Sequence, residues 1–210
     1  MQGIKRFLHD YARWIAAALA VVCLGLVAYY MTTTRQVRKT SAVCTRNEVT
    51  NLGDGDVLEQ MLVLSEEDLQ MEQAKISVLV ATYQNRFHSG VLTMQLLEEN
   101  GQPVKNATVN CAEISDNESV TLDTEGLTPG YLYVLRIALT DFHDTTGLVG
   151  IWTGTAGEEE DSAQSEETRA MGQATKNAQP LTDTEDEYVY ATVKGFERET
   201  GIQRAYYYLC

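Results

Sequence analysis

None of the compact signatures of catalysis occurs in the 210 residues: no G-x-S-x-G, no H-E-x-x-H, no phosphate-binding P-loop and no dinucleotide fingerprint. A stand-alone enzyme is therefore not the expected reading, and no cofactor is implied. Cations are also scarce, with 16 Lys and Arg against 30 Asp and Glu and a formal net charge of -14. A surface of that sign repels a phosphate backbone, so a nucleic-acid partner is excluded. The three histidines are scattered and no C-x-x-C is present, so no zinc pattern forms. The acidic residues lack the regularly spaced Asp and turn Gly of a calcium loop.

Cysteines number four. Cys23 sits within an apolar run and Cys210 is the last residue. Cys44 and Cys111 fall in the part expected outside the cytoplasm, where an oxidising compartment would let them pair as a disulfide. The alternative is two free, half-buried thiols.

Residues 14–34 carry no charged side chain, and their apolar centre, residues 14–31, is long enough to cross a bilayer as a helix. Trp14 at one end and Tyr29 and Tyr30 at the other suit the two interfacial belts, with Lys5, Arg6 and Arg13 flanking one side and Arg35, Arg38 and Lys39 the other. A short basic arm stays cytoplasmic and long following domains translocate largely regardless of charge. The expectation is a single-pass plasma-membrane protein with residues 1–13 inside, the span at 14–34 and the remainder outside. A cleaved signal peptide would need a shorter apolar core and a small-residue cleavage site, which Ala28-Tyr29-Tyr30 does not supply.

The chain length suits one domain beyond the anchor. Residues 35–55 are polar and without period, which predicts a juxtamembrane stalk, and the fold is expected to begin at Asp56. Strand-like runs follow at 57–64, 75–83, 91–98, 104–111, 119–123, 131–140 and 148–153. Leu92, Met94 and Leu96 alternate with Thr93 and Gln95, and Ile76, Val78 and Val80 with Lys75 and Ser77, which marks half-buried strands. Asn100-Gly101 predicts a tight hairpin, Pro129-Gly130 a second turn, and Ser65 with Asp68 a capped helical turn. Residues 154–187 are acidic and almost free of apolar side chains, which predicts a disordered insertion. Strand composition returns at 188–194 and 204–209. Many short strands with turns between them predict an all-β fold, an antiparallel β-sandwich over 56–210 preceded by the membrane helix.

Three polar groupings come into question as sites. Asp141-Phe142-His143-Asp144 is expected to be a solvated turn and Asp54-Gly55-Asp56 another. The connection holding Tyr83, Arg86, Phe87 and His88 gathers rings, a guanidinium and an imidazole at one rim of the sandwich, the combination that stacks on a pyranose and meets its hydroxyls. These four residues are the expected ligand site, against a structural alternative in which Phe87 plugs the sandwich end. Trp152 is expected in the core.

The order of residues 78–83, 85–87, 89–101, 115–119, 131–137 and 149–152 resembles the jelly-roll ectodomain that follows the first membrane helix in Gram-positive membrane proteins associated with cell-surface polysaccharide synthesis. The likeness covers 56–152 and the closing strands. It implies a jelly-roll-like sandwich and a binding or accessory role in surface glycan assembly, with a surface glycan or a membrane protein as partner. Two alternatives follow from the same likeness: the N-terminal fragment of a multi-pass glycan-processing enzyme, or a sensory or scaffolding ectodomain. The insertion at 158–187 departs from the short connection the family would lead one to expect.

Overall fold

A computed structural model describes residues 2–87, 89–145, 147–155, 168–182, 186–203 and 206, with side chains in the first helix given for residues 11, 12 and 14 onward. The chain divides into two compact units, Met1–Val37 with Glu197–Cys210, and Arg38–Phe196.

In the first unit, α1 runs Gln2–Thr32. Its segment Trp14–Thr32 is 19 residues long, strongly apolar and without any buried share. At 1.5 Å per residue it spans roughly 28 Å, the thickness of a bilayer's hydrocarbon core, so the helix is long and apolar enough to cross one.

The second unit is a β-sandwich. β1 (Thr34–Ala42) runs from the first unit into it, and its further strands are β2 (Glu48–Leu52), β3 (Val57–Val63), β4 (Glu72–Ala81), β5 (Val91–Glu98), β6 (Pro103–Asn110), β7 (Glu118–Asp123), β8 (Leu132–Thr140) and β9 (Val149–Thr155), with the five-residue α2 (Glu66–Gln70) between β3 and β4. In one sheet β2 pairs with β9, β9 with β4 and β4 with β7. In the other β3 pairs with β8, β8 with β5 and β5 with β6. Every pairing is antiparallel. Alternate strands thus go to opposite sheets before the chain doubles back, which is the eight-stranded jelly-roll order.

Alternation decides which face is buried. Leu92, Met94 and Leu96 of β5 lie in the core with Leu135, Ile137 and Leu139 of β8, opposite Ile76, Val78 and Val80 of β4 and Val149 and Ile151 of β9. The β5–β6 hairpin closes at Gly101, whose φ of +82 no L-residue adopts cheaply. Ser65 caps α2 by accepting from the Asp68 amide at 3.0 Å.

Three sequence expectations need correction. Residues 35–55 are no stalk: they contain β1 and β2, and all five residues of β2 pair with β9, from Glu48↔Thr153 to Leu52↔Val149. The strand buries only Leu52, so it shows no hydrophobic period.

Nor does the acidic region lack order throughout. Residues 156–167 and 183–185 lie outside the described residues, but β10 (Arg169–Ala170) and β11 (Thr175–Lys176) pair with β3, β12 (Gln179–Pro180) pairs with β11, and β13 (Glu187–Val189) pairs with β9. Polar bonds replace the missing apolar burial. Gln60, buried in a core-facing row of β3, donates from Nε2 to the Gly172 carbonyl at 2.8 Å and accepts from the Val189 amide at 3.4 Å. The buried Asp68 carboxylate accepts from the Thr168 amide at 3.1 Å. Lys176 Nζ lies 2.7 Å from Asp56 Oδ2, and Asn177 donates to Asp56 Oδ1 at 2.7 Å.

Burial raises the Asp56 pKa, but the bonds from Lys176, Gly53 and Asn177 and the Lys176 charge outweigh it, leaving the carboxyl below its ordinary value. A depressed folded value means stability that is complete above the unfolded carboxylate range near pH ~4 and is lost as pH falls through the folded value. Urea midpoints measured on acidification should therefore fall more steeply below that range for the native protein than for Asp56→Asn.

Finally, the closing run expected at 188–194 divides between β13 and a longer last strand. β14 runs Ala191–Thr200, paired with β1 and β4, and residues 201–203 are helical. Of the run 204–209, only Tyr206 is among the described residues, and its backbone is helical. Thr200 and Gln203 form a reciprocal cap: the Gln203 amide donates to Thr200 Oγ1 at 3.3 Å, and the Thr200 amide donates to Gln203 Oε1 at 2.8 Å. That exchange is the T-x-x-Q capping box, which starts a helix and ends the strand.

Candidate functional site

The pairing of β2 with β9 sets the outward face of the first sheet. Asn51 stands opposite Gly150 and Val49 opposite Trp152, while Leu52, Val149 and Ile151 point inward. Ala81 of β4 flanks Gly150 on the other side. A Cβ on Gly150 would fall on Val49 Cγ1 and 3.1 Å from Asn51 Oδ1, so the absence of a side chain there lets both neighbours lean across β9. Asn51 Oδ1 then accepts from the Tyr83 hydroxyl at 2.9 Å.

Tyr83 and Gln84 turn the chain out of β4 at φ +51 and +61. Asp116 holds that turn: its Oδ1 accepts from the amides of Thr82 at 2.8 Å and Tyr83 at 2.9 Å. Its other oxygen accepts from Asn117 Nδ2 at 3.1 Å, and Asn117 Oδ1 accepts from the Trp152 indole N–H at 2.8 Å. The Arg46 guanidinium lies over the Trp152 ring, 4.7 Å from its centroid, within reach of a cation–π attraction. Arg46 is placed by its neighbours, since the Thr45 amide donates to the Thr155 carbonyl and the Asn47 amide to that of Thr153, both at 3.1 Å.

The result is one surface made of an exposed tyrosine ring, 47 % accessible, a half-buried indole, a guanidinium and two carboxamides, joined through Asp116. Asp116 spends its oxygens on backbone and amide donors, so its role is to position the turn and not to transfer protons. Rings and planar donors gathered on one face suit the binding of a ligand.

Of the four residues expected to form the site, the structure places Tyr83 on this surface and leaves Arg86 exposed in the same connection. His88 lies outside the described residues. Phe87 is a correction: it is 4 % exposed and packs edge-on against Phe142, with centroids 5.3 Å apart at 70°, so its ring cannot serve as a platform. Trp152 is corrected in the opposite sense, from core to outward face. Arg46, Asn51, Asp116 and Asn117 were not singled out by sequence. Asp116-Asn117 carried a usable signal, because Asn adopts the left-handed conformation found at Asn117, φ +59.

Asp141 to Asp144 forms a structural turn. The Ser89 amide and hydroxyl donate to Asp144 Oδ2 at 2.9 and 2.7 Å, the His143 amide donates to Ser89 Oγ at 2.8 Å, and the Phe142 amide donates to Asp54 Oδ1 at 3.0 Å. Among the described residues no three His, Cys, Asp or Glu side chains gather as metal ligands.

The disulfide expectation is also corrected. Cys44 and Cys111 are both free and buried. They lie beside strands of opposite sheets: Cys44 precedes β2, its Sγ 3.6 Å from the Tyr188 carbonyl, and Cys111 follows β6. Burial, then the Glu187 charge, pushes the Cys44 thiol up to about 12, and burial, then the Asp144 charge, pushes Cys111 up to about 11. Thiolate is the reactive form, so iodoacetamide at pH ~8 should leave both unmodified in the native protein and alkylate both after unfolding without reductant. Recovery of a cross-linked peptide pair would contradict this.

A cleft of about 640 Å³ lies elsewhere, between α2 and the β7–β8 connection, lined by Leu69, Met71 and Leu127 with Lys75, Asp123 and Glu125. Lys75 and Asp123 are directly opposite each other on β4 and β7, and the Asp123 carboxylate lies 3.7 Å from Lys105 Nζ. No protein-family model matches the chain, and no curated protein matches it in sequence.

Proposed function

We propose that this chain is a membrane-anchored binding module in which α1 holds the jelly-roll outside the cytoplasm and the Tyr83–Trp152 surface takes an uncharged saccharide of the cell surface. The observation that carries this reading is the conjunction of an exposed Tyr83 ring with the carboxamides of Asn51 and Asn117 and the Arg46–Trp152 pair on one sheet face. A pyranose offers an apolar face to a ring and hydroxyls to planar donors, and this surface supplies both. The net charge of -14 disfavours an anionic glycan. The likeness to ectodomains of surface-polysaccharide proteins supports the same ligand class, and an accessory role in glycan assembly accords with it.

Calorimetric titration of the full chain in detergent with neutral cell-surface oligosaccharides tests the reading. Tyr83→Ala should weaken binding by on the order of 1 kcal/mol beyond the lost area, the size of a stacking contact. Equal affinity of the native chain and the variant would remove this surface as the site.

A further inference from the structure

The chain's end returns to its membrane helix. Within the first unit, a Cβ on Gly201 would fall on the Tyr30 carbonyl oxygen and lie 2.6 Å from Met31 Cα, so the backbone of residue 201 rests directly on the last turn of α1. The Thr200–Gln203 capping box fixes the direction in which the chain leaves that contact. It leaves with large apolar side chains in the open: Ile202 is 66 % exposed and Tyr206 67 %, and Tyr29 in the last turn of α1 is 70 % exposed. In water such a group has no reason to be uncovered together, yet it abuts a helix whose own Leu24 and Leu26 are equally bare.

We propose that residues 201–203 and Tyr206 form a second membrane contact, seating Ile202 and Tyr206 in the lipid headgroup layer next to the end of α1. This rests on the reading of α1 as a membrane span. The occupant is lipid because Gly201 seats this segment on the last turn of α1, whose apolar side chains are exposed along the span, and because tyrosine, apolar in body and polar at the tip, is the side chain favoured at that depth. Gly201 is what brings the two elements together, since any side chain there would push the turn off the helix.

The full chain, with Cys23→Ser and Cys210→Ser, is reconstituted in phosphatidylcholine vesicles and spin-labelled singly at Ile202→Cys, Tyr206→Cys, Leu24→Cys or Asn106→Cys; the buried Cys44 and Cys111 stay unlabelled. Collision with oxygen against a water-soluble nickel chelate reports depth. The proposal expects labels at 202 and 206 to be shielded from nickel relative to 106, to gain oxygen, and to lie within roughly 5–10 Å of the headgroup boundary, shallower than 24. Fully aqueous values at 202 and 206 with a deep label at 24 would overturn it while leaving the span intact. An aqueous label at 24 would remove the span and this contact together. Labels at 202 and 206 shielded from both quenchers would mean a protein covers the patch, which also overturns it.

Discussion

Phe87→Ala should lower the stability of the sandwich by about 3–5 kcal/mol, the cost of emptying a buried aromatic site, while leaving saccharide affinity unchanged well below the melting transition. Phe87 belongs to the core cluster and packs on Phe142. The space is shaped for its ring: a Cβ on Gly147 would sit 2.7 Å from Phe87 Cε1 and 3.2 Å from Asn85 Cβ. Chemical denaturation of the variant reads the loss. A fall in affinity with no fall in stability would return Phe87 to the binding surface.

Gln60→Ala is the second large effect, on the order of 2–4 kcal/mol from three lost hydrogen bonds, one of which leaves the Val189 amide unpaired, and from the cavity left behind. Gln60 is 1 % exposed and its amide ties β3 to residue 172 on one side and to β13 on the other. The loss should be local as well as global. Hydrogen exchange should quicken at the amides of Met171, Ala174 and Val189, which bond to Met61, Glu187 and Gln60 in the native protein. Unchanged protection at those three amides would show that the returning segment is held by something else.

That segment marks where the sequence stopped being informative. β5 was legible because Leu92, Met94 and Leu96 share one face and an Asn-Gly turn follows, both local features. Residues 168–182 depend on Gln60, Asp56 and Asp68, a hundred or more positions earlier, and composition carries no trace of such pairs. β1 and β2 were missed for a related reason. Apart from Ser41 in β1 and Leu52 in β2 they bury no residue fully, so they lack the alternation that announces a strand. The capping box at Thr200 and Gln203 was readable, but the tyrosines after it looked like a continuing strand.

The candidate surface was half legible. Tyr83 was found by its neighbours' chemistry, whereas Phe87 was misplaced because a buried ring and a platform have the same sequence signature. Trp152 could have been placed by parity. Val149, Ile151 and Thr153 alternate with Gly150, Trp152 and Gly154, and a tryptophan sharing its face with two glycines belongs outside the core. Arg46 and Asn51 sit in a region read as stalk, so nothing suggested that they meet Trp152 and Tyr83.

The central claim, that an uncharged saccharide binds across Tyr83 and Trp152, is tested most directly by following the Trp152 indole N–H and the side-chain amides of Asn51 and Asn117 by nuclear magnetic resonance while oligosaccharide is added to the full chain. The three signals should shift together and saturate at one affinity, because Asn117 accepts from the indole and Asn51 from Tyr83. Shifts confined instead to Lys75, Asp123 and Leu127 around the cleft, or no shifts at saturating saccharide, would contradict it.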